Sequence, residues 1–229
     1  MEQAGKMIYL VANWKSHKTL EESLIWLEGM KTAEIKDNYK IIVCPPFPYI
    51  KPMHDKVTDS QLNLSLGVQD ISPFPFGAYT GAVASDMVKD WVTYAIVGHS
   101  EQRRYFHETD QEVANKVREA LAVGLTPIVC VDEPYLESQI TALKGANVDQ
   151  LIFAYEPLAA IGSGHPDTPE HAQNVAERIQ AQLKAKVPVL YGGSVTPENI
   201  KPYLLMPNIS GALVGGASLD SETWKAMMV

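Results

Sequence analysis

Leu151-Ile152-Phe153-Ala154-Tyr155-Glu156-Pro157, followed by the loop Ala160-Ile161-Gly162-Ser163-Gly164 and then by Thr168-Pro169, decides how the chain is read. The apolar run from Leu151 to Ala154 has the length of a buried strand, and Pro157 stops it. Glu156 is then the first residue to leave that strand. Thr168 is a helix N-cap, and Pro169 suits the first helical position because its missing N–H is one that a helix start leaves unpaired. The unit is strand, glycine-bearing loop, helix. At this level Glu156 has two readings: a catalytic base under a movable loop, or a carboxylate that only caps a neighbouring element.

The same unit recurs in both directions. Strand candidates are Met7 to Ala12, Lys40 to Cys44, Leu62 to Val68, Val92 to Val97, Thr126 to Val131, Leu151 to Ala154, Val187 to Leu190 and Gly211 to Val214. Between them, Thr19 with Glu22 and Thr109 with Glu112 form capping boxes, and Thr168-Pro169 and Thr196-Pro197 start two more helices. The helix after Thr109 puts Val113, Val117, Ala120 and Leu121 on one face and ends near Gly124; the one after Thr168 carries Ala172, Val175, Ala176, Ile179 and Leu183. Continuously apolar strands alternating with one-sided helices indicate a parallel sheet covered on both faces. Eight such units in 229 residues fit a (β/α)₈ barrel, one domain over residues 1–229. The alternative is a doubly wound open sheet, whose Gly-x-Gly-x-x-Gly fingerprint after the first strand is absent.

Composition narrows the partners. The net charge is −8, with no run of Lys or Arg, which argues against nucleic acid or an anionic membrane surface. No apolar run approaches the roughly 18 residues of a membrane span, and Met1 to Lys6 do not begin a leader with a basic region and an apolar core, so a cytoplasmic protein is expected. Cys44 and Cys130 form no disulfide framework, which suits a reducing compartment, and neither implies a metal site.

A barrel gathers its functional residues at the strand C-termini. Those ends read Asn13-Trp14-Lys15, Gly98-His99-Ser100-Glu101, Tyr155-Glu156, Tyr191-Gly192-Gly193-Ser194 and Gly215-Gly216. An amide, an ammonium, an imidazole and two carboxylates would share one rim. The glycine pairs after strands seven and eight serve another need: backbone N–H groups brought close to a phosphate dianion.

These segments, together with Cys44-Pro45-Pro46-Phe47, Gly77-Ala78-Tyr79-Thr80-Gly81 and Val214-Gly215-Gly216-Ala217-Ser218-Leu219, resemble the triosephosphate isomerase family over essentially the whole chain. The resemblance implies a TIM barrel that interconverts dihydroxyacetone phosphate and D-glyceraldehyde 3-phosphate through an enediolate. It implies Glu156 as the base, and His99 as a neutral electrophile whose pKa a helix N-terminus lowers. Lys15 would supply fixed positive charge, Asn13 would hydrogen-bond at the same centre, and Glu101 would lie by Lys15 and organise it. Gly162, Ser194, Gly215 and Gly216 match phosphate-gripping positions, and Pro157 to Asp167 match a closing lid. No metal and no organic cofactor is implied. A homodimer is, through the loop Gln69 to Gly81, with Thr80 near the partner's site.

The departures from the family pattern carry expectations of their own. Ala82 and Gln102 stand where a glutamate and an arginine usually form an ion pair, which changes the interface in detail. Leu158-Ala159 replaces a tryptophan-bearing hinge and His165-Pro166-Asp167 the usual basic one, so altered lid kinetics are expected. The segment after Val131 is short, leaving a truncated fifth helix, Tyr135 to Leu143, ended by Gly145. That region is expected to be less stable or to expose a patch, and to lie away from the chemistry. A catalytically weakened barrel acting as a scaffold or phosphate-binding protein is the competing functional reading.

Overall fold

The computed structural model describes residues 6–160 and 164–228. Eight strands close into one parallel barrel in sequence order, each hydrogen-bonded to the next and the last to the first. They are β1 (Ile8–Asn13), β2 (Tyr39–Cys44), β3 (Ser65–Val68), β4 (Tyr94–Val97), β5 (Thr126–Val131), β6 (Ile152–Tyr155), β7 (Val189–Tyr191) and β8 (Ile209–Val214). The helices are α1 (Leu20–Met30), α2 (Ile50–Asp59), α3 (Ser100–Phe106), α4 (Asp110–Ala122), α5 (Leu136–Ala142), α6 (Pro169–Leu183), α7 (Ile200–Leu205) and α8 (Ser221–Lys225).

The strands alternate in a way their apolar runs conceal. Val11, Ile42, Ile96, Ile128, Ile152, Leu190 and Leu213 fill the barrel interior with Cys44, Cys130 and Ala154. Their neighbours Leu10, Ala12, Ile41, Val43, Val129 and Phe153 point outward onto the helices and belong to the larger core. Both faces are buried, which is why no polar alternation appears. Room inside is tight where β1 meets β8: at Gly211, whose φ is +151°, an added Cβ would fall 1.9 Å from the Tyr9 carbonyl oxygen.

Local signals hold where they were specific. Both capping boxes form, at Thr19 with Glu22 and at Thr109 with Glu112, and Thr168 caps α6 by accepting the His171 N–H. On α6, Ala172, Val175, Ala176 and Ile179 are buried. Two expectations fail. Thr196-Pro197 opens a turn, not a helix: the Thr196 N–H donates to Asn199 Oδ1 and α7 begins only at Ile200. Strand and helix do not alternate throughout, since among the described residues only a 3₁₀ turn, Ser85–Met87, lies between β3 and β4, while two helices, α3 and α4, lie between β4 and β5. The long connection after β3 spends its residues on a projecting loop instead. The fifth helix is short as expected, and Gly145 ends its turn with φ +87°.

Candidate active site

The strand ends deliver their polar residues to one mouth. Asn13 ends β1, and its Oδ1 accepts the Lys15 N–H at 3.1 Å. That bond holds Lys15 in the left-handed region, φ 51°, a conformation a non-glycine residue adopts only when its surroundings impose it. The Gln69 side chain supports the same turn, donating to the carbonyl oxygens of Lys15 and Cys44 at 2.9 Å each. Lys15 Nζ then reaches Glu101 Oε1 at 2.7 Å.

His99 follows Gly98 at the end of β4 and caps α3. Its Nδ1 accepts the Glu101 N–H at 3.1 Å, so in this geometry the ring's proton is on Nε2. Nε2 lies 3.0 Å from Glu156 Oε1, and the other oxygen of Glu156 accepts the Ser100 N–H at 3.0 Å. Glu156, His99, Ser100 and Asn13 are all buried. The Cys130 thiol, inside the barrel beneath them, is pushed up by burial and by the Glu156 carboxylate, and therefore stays protonated.

Electrostatics follows from these contacts. Burial alone would raise the Glu156 carboxyl, but His99, the Ser100 N–H and Lys15 outweigh it and hold it below the ordinary carboxylate value. Burial likewise opposes a charged His99, and here the touching Glu156 carboxylate reverses the sign and raises the imidazole. The lowered imidazole implied by the family resemblance is thus not the direction in this arrangement, and the cause is the resting contact itself. Once Glu156 turns to another partner, its contribution goes; burial, the Lys15 charge and the Glu101 N–H at Nδ1 then disfavour the imidazolium, while the carboxylates of Glu101 and Asp70 favour it.

These groups open on a cavity of about 560 Å³ that also borders Ser194, Gly215 and Gly216. Ser194 has φ 50° and donates its hydroxyl to the Ala160 carbonyl at 2.5 Å. A Cβ on Gly215 would come within 3.4 Å of Lys15 Cε, and one on Gly216 would enter open space. The bare backbone therefore faces the cavity beside the ammonium, as an anion site requires. Gly162 lies outside the described residues. The structure thus brings together Asn13, Lys15, His99, Glu101, Glu156, Ser194, Gly215 and Gly216. Sequence reasoning missed the supporting Gln69, which has no local signal, and the backbone N–H of Ser100, which only its place at a helix start could have suggested.

Both ends of the loop after β6 are tied down. The Leu158 N–H donates to Asp132 Oδ2 at 3.3 Å. The Asp167 N–H donates to the Tyr191 hydroxyl at 2.7 Å, and the Asp167 carboxylate accepts Tyr155 Oη at 3.0 Å and meets His171 Nδ1 at 2.6 Å.

A carboxylate resting on an imidazole N–H, with an ammonium lining the same cavity, can take a proton from carbon next to a carbonyl while the N–H polarises that carbonyl. On a closed (β/α)₈ barrel, at the C-terminal ends of the strands, this defines the class of acid–base barrel enzymes. More particularly, the chain belongs to the triosephosphate isomerase family: the family's sequence profile matches residues 8–229. Named triosephosphate isomerases are similar along nearly their full length. That of Thermus thermophilus is 37% identical, covering 97% of this chain and 98% of its own. That of Symbiobacterium thermophilum is 39% identical over 95% and 94% of the two chains, and that of Dehalococcoides mccartyi 39% over 96% and 94%. The chain is accordingly an isomerase, and the scaffold reading is not favoured.

Proposed function

We propose that the protein interconverts dihydroxyacetone phosphate and D-glyceraldehyde 3-phosphate, with Glu156 moving a proton between C1 and C2 through an enediolate. The observation that carries this is the Glu156 carboxylate held 3.0 Å from His99 Nε2, at the edge of the cavity that ends in the two glycines. Substrate entering that cavity takes over the His99 N–H with its carbonyl oxygen, freeing Glu156 to reach the carbon-bound proton. Lys15 balances the charge that develops on the enediolate oxygens, and Asn13 hydrogen-bonds beside it. Glu101 fixes the ammonium by its 2.7 Å ion pair. Ser194, Gly215 and Gly216, with Gly162, grip the phosphate, and Pro157 to Asp167 close over it to exclude water.

The same reading makes the protein a cytoplasmic homodimer of central carbon metabolism, with the triose phosphate as its only ligand. Among the described residues no helix is long and apolar enough to cross a membrane. The loop Gln69 to Gly81 carries Phe74, Phe76 and Tyr79 exposed, the first and last stacked at 4.5 Å, and Tyr105 and Phe106 are also uncovered. Aromatic surface of this kind suits a partner subunit.

The test is a coupled isomerase assay from D-glyceraldehyde 3-phosphate, comparing the unmodified chain with Glu156→Gln at equal concentration. A loss of at least ~100-fold is expected, the low end for general acid–base catalysis. Two folded proteins with no isomerase activity would overturn the proposal.

A further inference from the structure

We infer that Arg103, held from helix α5 by Gln139, is a positioning residue for the His99 imidazole. The inference rests on the role given to His99 above. The three guanidinium nitrogens of Arg103 each have their own acceptor: Nε donates to the Gly98 carbonyl at 3.1 Å, Nη1 to Asp110 Oδ1 at 2.7 Å and Nη2 to Gln139 Oε1 at 2.5 Å. The Tyr135 ring covers the guanidinium, with its centroid 5.1 Å away. Gln139 is fully buried and returns a second bond, from Nε2 to the Asp110 carbonyl at 3.3 Å. The fork is thus satisfied in a planar arrangement that lysine could not reproduce.

The consequence lies at Gly98. This residue has φ +71°, and an added Cβ would meet the Cys130 carbonyl at 3.1 Å, so the chain leaves β4 through a backbone turn that glycine makes possible. The Gly98 carbonyl and the His99 N–H share one rigid peptide plane. Fixing the carbonyl oxygen by Arg103 fixes the plane from which His99 departs. At its other end the ring is held by the Glu101 N–H on Nδ1 and by Glu156 on Nε2, 3.1 and 3.0 Å away. A tilt of that peptide moves Nε2 directly relative to Glu156. The shortened fifth helix is therefore connected to the chemistry, contrary to the expectation that it lies apart from it: within its seven residues it keeps the buried amide that orients Arg103.

The experiment compares Gln139→Leu, which removes the acceptor, with Gln139→Glu, which restores one, in the full-length chain. For Gln139→Leu, kcat is expected to fall about tenfold with KM nearly unchanged, since slight misplacement of a reacting group costs rate before it costs binding. Affinity for a phosphate-bearing enediolate mimic should fall by the same factor while inorganic phosphate binds as before. Gln139→Glu should recover most of kcat. Should Gln139→Leu fail to fold, Asp110→Asn weakens the same guanidinium from the half-exposed side and should lower kcat a few-fold with KM unchanged. A folded Gln139→Leu with unmodified kcat, a loss confined to KM, or an absence of rescue by Gln139→Glu overturns the inference; after a folding failure, an unmodified kcat in Asp110→Asn does so. His99→Gln separates this from the underlying reading: if that variant retains full kcat, the role of His99 fails, and if it is impaired while the Gln139 variants are not, only the positioning fails.

Discussion

Replacing Lys116 with methionine would strand two carboxylates in the barrel wall. Lys116 Nζ lies 2.6 Å from Asp70 Oδ1, at the base of the loop after β3, and also pairs with Glu108, just before α4. The side chains of Lys116 and Glu108 are only 7% and 4% exposed, so water offers little compensation. Burial raises both carboxyls, and the nearby ammonium does not fully offset it. The lysine itself is opposed by burial but raised on balance by the two carboxylates. Its contribution is therefore full below the ordinary lysine value of about 10.4 and is lost as pH rises through the raised folded value. Removing one partner of a buried ion pair costs about 3–5 kcal/mol. That is a large part of the roughly 5–15 kcal/mol available to a domain, and at about 2–4 °C per kcal/mol it lowers Tm by on the order of 10 °C. Without the lysine both carboxyls move further up, so the folded state binds protons that the unfolded state does not. Stability then falls as pH rises from the ordinary carboxyl value through the raised one, and acid restores it. Urea midpoints at fixed protein concentration, at about pH 5 and about pH 8, should show a small deficit at the lower pH and the full one at the higher. Lys116→Met combined with Glu108→Gln should regain part of the loss. A deficit below about 1 kcal/mol at the higher pH, or one independent of pH and of Glu108, would refute the account.

Two further outcomes follow from single contacts. The hydrogen bond to Asp167 raises the His171 pKa, so its stabilisation is full below about 6.5 and disappears as pH rises through the folded value; solvent keeps it under about 1 kcal/mol. The urea midpoints of the unmodified chain and His171→Gln should therefore differ in mild acid and coincide in mild alkali, and a gap that persists in alkali contradicts the assignment. Gly211→Ala should fail to fold, because its methyl would overlap the Tyr9 carbonyl at 1.9 Å, while Gly216→Ala, with open space at that position, should give an unmodified circular dichroism spectrum; a native, equally stable Gly211→Ala would show that the β1–β8 seam can move.

The barrel was legible because the features that specify it are local. A strand buried on both faces is an apolar run wherever it lies, and Thr19, Thr109 and Thr168 announce helix starts through bonds that span only three residues. The rim was legible for a related reason: Asn13, His99 and Glu156 each stand at a strand's C-terminal end, and closure carries those ends to one place. What closure adds is long-range, and there local patterns were silent. Ser100 meets Glu156 across 56 residues and Arg103 takes Gln139 across 36, while the Lys15–Glu101 pair, 86 apart, was expected from the family resemblance and not from any local pattern. The left-handed turns at Lys15 and Ser194 leave no mark in composition, since neither residue type favours them; each is imposed by partners that arrive only with the fold. The same distinction explains why the imidazole at rest is raised and not lowered. Its helix-start position is a local property, but the direction of its titration at rest is decided by Glu156, distant in the chain and touching it in space. Side-chain identities at strand ends therefore disclose which groups meet, while their protonation and aim depend on which neighbours the closed barrel presses against them.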